Sequence, residues 1–231
     1  MAGLLCHTVL LLCPLSAALA EPPAGSAFGN ARLLTTDEAA VIAHPVLGLQ
    51  RSAVPLGAGL VLDTSVYADL FLAPNLGLRW AMEAGPHRFV LGARYTYFVG
   101  QSVYSSFVEG QEAAIDRFEP SLSGPTVYGA YGLALGPLTV QGEARYAHYD
   151  SDYLAATGGA ALHLTETFAL IGELGVRLKG GSKLRAAGGV RYGGEHLGAA
   201  LGVAYVDLKD PAFADGGFAV LPVFDLTWTF R

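Results

Sequence analysis

Phe224-Asp225-Leu226-Thr227-Trp228-Thr229-Phe230-Arg231, the last eight residues of the chain, alternate apolar and polar without a break. Successive side chains of an extended strand point to opposite faces. Phe224, Leu226, Trp228 and Phe230 therefore share one face, and Asp225, Thr227 and Thr229 share the other. A helix would scatter the same residues around its axis. The same period of two recurs back to the region of Val54, in segments of about ten residues separated by tight turns.

Composition says where such strands belong. The 231 residues carry a formal charge of −6, only 15% charged side chains, 30 glycines and 11 tyrosines, with a mean hydropathy of +0.39. No internal run of about 18 apolar residues is available as a membrane helix. Apolar content dispersed by alternation suits strands with one face in lipid, and strands in lipid must close into a barrel to satisfy their backbone. The expected fold is all-β: an antiparallel up-and-down transmembrane β-barrel of about ten strands, with eight to twelve compatible.

The one long apolar run, Leu4 to Ala20, lies at the start. It reads as a signal peptide over residues 1–20, with Ala18-Leu19-Ala20 as a small-x-small cleavage site before Glu21, although no Lys or Arg precedes its core. Leu12 before Cys13 is too bulky for a lipoprotein signal. Both cysteines, Cys6 and Cys13, fall inside this segment, so the mature chain would have no thiol for a disulfide, a nucleophile or a metal. Residues 21–53 read as a periplasmic extension, with a short helix over Thr35–Ala43 opened by a Thr35/Glu38 capping box. A small plug inside the barrel is the other reading of this extension.

The strands expected from Val54 onward begin with an overlong segment, Val54 to Leu72, in which Val66, Ala68, Leu70 and Leu72 alternate with Tyr67, Asp69 and Phe71. Segments through Leu76–Glu83, Arg88–Tyr97, Thr126–Leu135, Leu138–Tyr149, Tyr153–Leu164, Thr167–Leu178, Leu184–Tyr192, Leu197–Val206 and Val220–Phe230 follow. Pro222 must sit at a rim or bulge, because it cannot donate to a ladder. Every strand charge falls on the polar phase: Arg79, Glu83, Arg88, Arg94, Glu143, Arg145, Glu173, Arg177, Arg185, Arg191 and Asp225. A lipid-facing Arg at mid-bilayer costs about 2–4 kcal/mol, so a barrel must obey this segregation. Alternate connections are short (Gly85-Pro86, Gly136-Pro137, Thr165-Glu166, Gly193-Gly194), whereas Val99–Pro125 and Asp207–Gly217 are long. Short periplasmic turns and longer external loops have that parity. Trp80, Tyr95, Tyr97, Tyr146, Tyr192, Tyr205, Trp228 and Phe230 lie towards strand ends on the apolar phase, where an aromatic girdle would sit.

From the leader, the alternating strands and the aromatic last strand, residues 54–231 resemble the small outer-membrane β-barrel proteins of Gram-negative bacteria. That resemblance implies outer-membrane lipid and lipopolysaccharide as surroundings, and the barrel-assembly machinery as a partner that reads the last strand. Such strands usually end on Phe; here Phe230 is penultimate and Arg231 follows.

Inside a barrel of this size Arg79, Arg94, Glu143, Arg145, Glu173, Arg177, Arg185, Arg191 and Asp225 would form a lumen charge network. It reads either as a cross-linked polar core or as a narrow pore whose basic excess favours small anions. Small inward residues (Ala130, Gly132, Ala134; Ala187, Gly189; Gly198, Ala200, Gly202) leave a cleft or make room for arginines from across the barrel. Acidic loop residues (Glu109, Glu112, Asp116, Glu119, Asp150, Asp152, Asp207, Asp210, Asp215) read as a solvated rim, the other reading being a hold on divalent cations that bridge lipopolysaccharide phosphates; none has the ligand spacing of a calcium site. No metal or cofactor is expected: His44, His87 and His196 are scattered, His163 reads as a hydrogen-bonded lumen residue, and no phosphate-binding glycine loop occurs. An acidic chain without a basic patch gives no reason to expect nucleic acid.

The functional expectation is therefore a non-enzymatic barrel, structural or a narrow channel with a charged lumen. Two alternatives remain. One is a lipid-modifying hydrolase using the His148, Ser151 and Asp152 loop. The other is a soluble periplasmic lipocalin-like binding protein, whose β-sandwich or closed sheet would alternate too.

Overall fold

Among the described residues twelve antiparallel strands, each beside its sequence neighbour, close into one barrel. The computed structural model describes residues 31–70, 73–99, 123–148, 152–179, 183–207 and 218–231. In chain order the strands are β1 (Val46–Gly48), β2 (Ser52–Gly57), β3 (Leu60–Thr64), β4 (Asn75–Ala84), β5 (His87–Thr96), β6 (Gly124–Leu135), β7 (Leu138–His148), β8 (Asp152–His163), β9 (Phe168–Arg177), β10 (Lys183–Gly193), β11 (Leu197–Asp207) and β12 (Phe218–Thr229). One short helix, α1 (Val66–Leu70), lies between β3 and β4. Strands β4 to β12 run 10–12 residues each. At about 3.3 Å per residue and a tilt of about 40°, such strands span a hydrocarbon band of about 25 Å.

The wall is inside out relative to a soluble protein. In β4, Asn75, Gly77, Arg79 and Ala81 are buried, while Leu76, Leu78, Trp80 and Met82 are exposed. In β12, Asp225, Thr227 and Thr229 are buried, while Phe224, Leu226 and Trp228 are exposed. Exposure of the large apolar side chains is what a lipid-facing wall requires.

The strand count of about ten becomes twelve for a local reason. The segment Val54–Leu72 is not one strand: Gly57, Ala58 and Gly59 all take positive φ and fold it back between β2 and β3. At Gly59 a Cβ would lie 2.0 Å from the carbonyl oxygen of Ala81, so only glycine passes there. The alternation of Val66 to Leu70 is helix α1 rather than strand. The barrel also starts before Val54: β1 pairs Val46 with Thr229 and Gly48 with Thr227, which closes the ring on β12. The boundary at residue 53 is therefore corrected, because β12 needs a partner for its last residues and Val46–Gly48 supplies it. Pro222 is neither at a rim nor in a bulge; it lies inside β12, in regular register with Val203. The short helix expected over Thr35–Ala43 does not form, and residues 31–42 lie inside the barrel instead.

Candidate functional site

The inward ends of the wall side chains converge on residues 31–42, which occupy the lumen as a plug. Ala31, Leu33, Leu34, Ala39, Ala40 and Ile42 are all buried, although a chain entering from solvent would leave them wet. Three apolar patches seat them. Leu33 and Leu34 pack with Ala161, Ile171 and Ala200; Ala39 packs with Ala81, Val90, Tyr128 and Ala130; Ala31, Ala40 and Ile42 pack with Val46, Ala53 and Val61. The small inward residues of the wall are what make the space. A Cβ on Gly159 would lie 2.4 Å from Leu33 Cδ1, one on Gly202 3.0 Å from Leu34 Cδ1, and one on Gly132 3.0 Å from the Ala39 Cβ. The cleft suggested by the sequence exists, and the chain's own N-terminal segment fills it.

Polar groups fix the plug's conformation. Glu173 on β9 accepts the amides of Leu34 (2.9 Å), Thr35 (3.0 and 3.1 Å) and Thr36 (3.2 Å), and the hydroxyls of both threonines. The Thr35/Glu38 capping box builds no helix because both of its donors are engaged elsewhere, the Thr35 amide by Glu173 of the wall and the Glu38 amide by the Ala31 carbonyl. Arg32 and Asp37 close the turn with a backbone bridge. Gln141 clamps the far side, accepting from Ala39 N (2.9 Å) and donating to Asp37 O (2.6 Å).

The ionic part is a continuous network. The Asp37 carboxylate sits between Arg51 and Arg145, the latter at 2.8 Å. Arg145 also holds Glu143 at 2.9 Å, and Glu143 accepts the Asp37 amide at 3.0 Å. Arg51 continues to Asp63 at 3.3 Å, and Asp63 to Arg94 at 2.8 Å. Glu38 pairs with Arg191 at 3.0 Å, and its backbone carbonyl accepts from Arg79. Asp225 accepts the Gln50 amide at 3.0 Å. Buried charges are tolerable only when paired this densely.

Of the nine residues expected in the lumen network, Arg79, Arg94, Glu143, Arg145, Glu173, Arg191 and Asp225 hold the plug or the strand seam beside it. Arg177 and Arg185 stand apart near the loop end around Tyr153: Arg177 lies over its ring at 5.0 Å, and Arg185 donates to its hydroxyl at 3.3 Å. The sequence reading missed Asp37, Glu38, Arg51, Asp63 and Gln141. An Asp-Glu pair followed by a lone Arg in an otherwise apolar stretch was the available signal. Trp80, Tyr95, Tyr97, Tyr146, Tyr192, Trp228 and Phe230 all face outward and exposed, with Tyr205 half-buried. Tyr95, Tyr97 and Tyr146 lie at the loop end and Tyr192, Trp228 and Phe230 at the turn end, whereas Trp80 sits further from a rim.

At the loop end, on the outer side of the wall, Asp152 Oδ1 accepts from Tyr146 (2.7 Å) and meets His148 Nδ1 (2.8 Å), while Lys179 pairs with its second oxygen. That hydrogen bond raises the Lys179 ammonium above the ordinary lysine range. Ser151, the third member of the hydrolase alternative, lies outside the described residues, as do the leader with Cys6 and Cys13, the Glu109–Glu119 loop, Asp210 and Asp215. Among the described residues no cluster of three His, Cys, Asp or Glu stands in metal-binding reach. A concavity of about 960 Å³ lies on the outer face beside Trp80, Met82, Leu91 and Tyr131 and presents almost only apolar surface.

This closed antiparallel barrel with an apolar exterior has the fold of the outer-membrane β-barrels. Solved structures with a similar fold include the NanC porin (8% identity, TM-score 0.52, covering 81% of this chain and 96% of that one). LpxR from Salmonella typhimurium is also similar (13%, 0.48, 80% and 87%), as is OmpT of Vibrio cholerae (9%, 0.39, 78% and 63%). No family model and no curated protein matches the sequence. One expectation is corrected here. A closed barrel wall says nothing against catalysis, so the reading of the chain as not an enzyme does not stand; the fold leaves enzyme status open.

Proposed function

We propose that the protein is a self-plugged outer-membrane barrel, a narrow conduit for small charged solutes that its own N-terminal segment closes at rest. The observation that supports this reading is the way Glu173 gathers the amides of Leu34, Thr35 and Thr36. The plug's ties to the wall are side-chain bonds and packing and none is a rung of the strand ladder, so it can leave as a unit without breaking the ring of strands. Withdrawal exposes Arg79, Arg145 and Arg191 together, a basic surface suited to small anions. The class of function rests on this arrangement alone, with the leader, its cleavage near Ala20 and the barrel-assembly partner belonging to the same proposal.

The test is conductance in planar bilayers of the refolded full chain beside a variant lacking residues 31–42. The full chain should stay closed with brief openings, and the shortened chain should conduct steadily with a preference for chloride over potassium. A shortened chain that folds, as shown by heat-modifiable mobility on gels, yet carries no current would overturn the conduit reading.

A further inference from the structure

The ring of strands is closed unevenly. β12 is twelve residues long, yet its only ladder to β1 covers Thr227 to Thr229. Two further bonds extend it, Phe230 N to Pro45 O at 2.9 Å at the turn end and Leu49 N to Leu226 O at 3.1 Å on the other side. Beyond that, side chains stand in for a strand: the Phe224 carbonyl accepts from Gln50 Nε2 (3.1 Å) and from the Tyr67 hydroxyl of α1 (3.0 Å). From Val223 to Phe218, about 20 Å of strand, the β1-facing edge of β12 has no strand partner among the described residues. β2 and β3 are short as well, and α1 sits where their upper halves would be.

Pro222 marks this edge in the sequence. Leu226 and Phe224 direct their carbonyls towards β1, and the direction alternates along a strand, so Pro222 turns its ring nitrogen to the same side. A missing N–H costs nothing where no partner strand lies opposite, and proline at an open edge also discourages pairing with a foreign strand.

Behind the notch is a cavity of about 650 Å³. Its floor is the plug at Arg32 and Leu34, its sides are Leu70 of α1 and Val223 of β12, and Arg94 and Arg145 stand at its back. These two arginines differ from the others in the network. Arg51 and Arg191 have side chains no more than 2% exposed, whereas Arg94 retains 17% and Arg145 27%. Each uses Nη2 and, for Arg145, Nε on its carboxylate partners, and among the described residues Nη1 of neither makes a hydrogen bond.

We propose that this vestibule is a binding site for one single-chain anionic amphiphile. Its carboxylate or phosphate head meets Arg94 and Arg145 above the plug, and its acyl chain leaves through the notch between β12 and α1 into the lipid. Two cationic forks supply charge-assisted bonds to the head. Leu34, Leu70, Val223 and Phe224 line an apolar path from the head to the outer surface. The site does not depend on movement of the plug, so it stands or falls separately from conduction.

Native mass spectrometry from a neutral detergent tests it, with dodecyl phosphate, dodecanol and inorganic phosphate as probes. The full chain should retain one dodecyl phosphate, with dodecanol held about tenfold more weakly and inorganic phosphate not retained. Arg94→Gln should weaken retention about tenfold. Leu70→Trp, a change at an exposed helix position that the fold tolerates, should block the cavity mouth and abolish it. Equal retention of dodecanol, retention of inorganic phosphate alone, or indifference to Leu70→Trp would each overturn the proposal.

Discussion

Replacing Glu173 with alanine removes the acceptor for three backbone amides and two hydroxyls of the plug. The hydroxyls can rotate to other partners. The amides of Leu34 and Thr36 cannot, because those residues are 0% and 4% exposed and no water reaches them. A buried N–H left unsatisfied costs about 1–3 kcal/mol, and relief of the carboxylate's own desolvation offsets part of the sum. A net loss of about 3 kcal/mol corresponds to roughly a hundredfold rise in the fraction of plug out of the barrel. Cysteine accessibility reads this directly, since Cys6 and Cys13 are the only native cysteines and both can be replaced. With Ala40→Cys as the reporter, buried at 1% exposure, the maleimide reaction rate follows the open population as long as closing outpaces labelling. The rate should rise roughly a hundredfold in Glu173→Ala and by an intermediate factor in Glu173→Gln, which keeps one carbonyl acceptor. An unchanged rate in a barrel that still shows heat-modifiable mobility would refute the reasoning, because the plug would then be held by something other than Glu173.

Other consequences follow from the packing and the network. Gly159→Leu should drive Leu33 from its seat, a cost of about 1–3 kcal/mol, and raise Ala40→Cys labelling; adding Leu33→Ala should reverse it. Arg51→Ala leaves Asp37 and Asp63 buried without their shared cation, so the barrel should lose about 3–5 kcal/mol in urea unfolding followed on gels. Pro222→Ala should change stability by less than about 0.5 kcal/mol, unlike the several-fold larger effect of a strand substitution that breaks a ladder, since its nitrogen faces an unpaired edge.

The regular part of the barrel was legible because lipid outside and a crowded lumen inside impose a strict period of two. From β4 to β12 the alternation places strands within a residue or two of their observed bounds. The seam was not legible, for physical reasons. β1 is three residues long, too short to show any period, and β2 and β3 are separated by a turn that hides inside an apolar run. Val66, Ala68 and Leu70 alternate in sequence, yet their segment is a five-residue helix, a length at which period two and period 3.6 are hard to tell apart. The lumen charges could be read as inward-facing, but not their partners. Glu173 takes its partners from a backbone turn, and donors on a main chain leave no trace in side-chain identity. Thr35 and Glu38 did spell a capping box, and the competing carboxylate that defeats it comes from 135 residues further on.

The central claim, that residues 31–42 lie inside the barrel against its wall, is tested most directly by a cross-link. Ala39 Cβ and the Cβ position of Gly132 are 3.0 Å apart, so a shift of about 0.5 Å brings them to the spacing a disulfide spans. The double substitution Ala39→Cys/Gly132→Cys, with Cys6 and Cys13 replaced, should oxidise to an intramolecular disulfide in isolated outer membranes, visible as a redox-dependent shift of the boiled chain on gels. Two free thiols in a folded, heat-modifiable barrel would contradict the account, since the plug would then lie elsewhere.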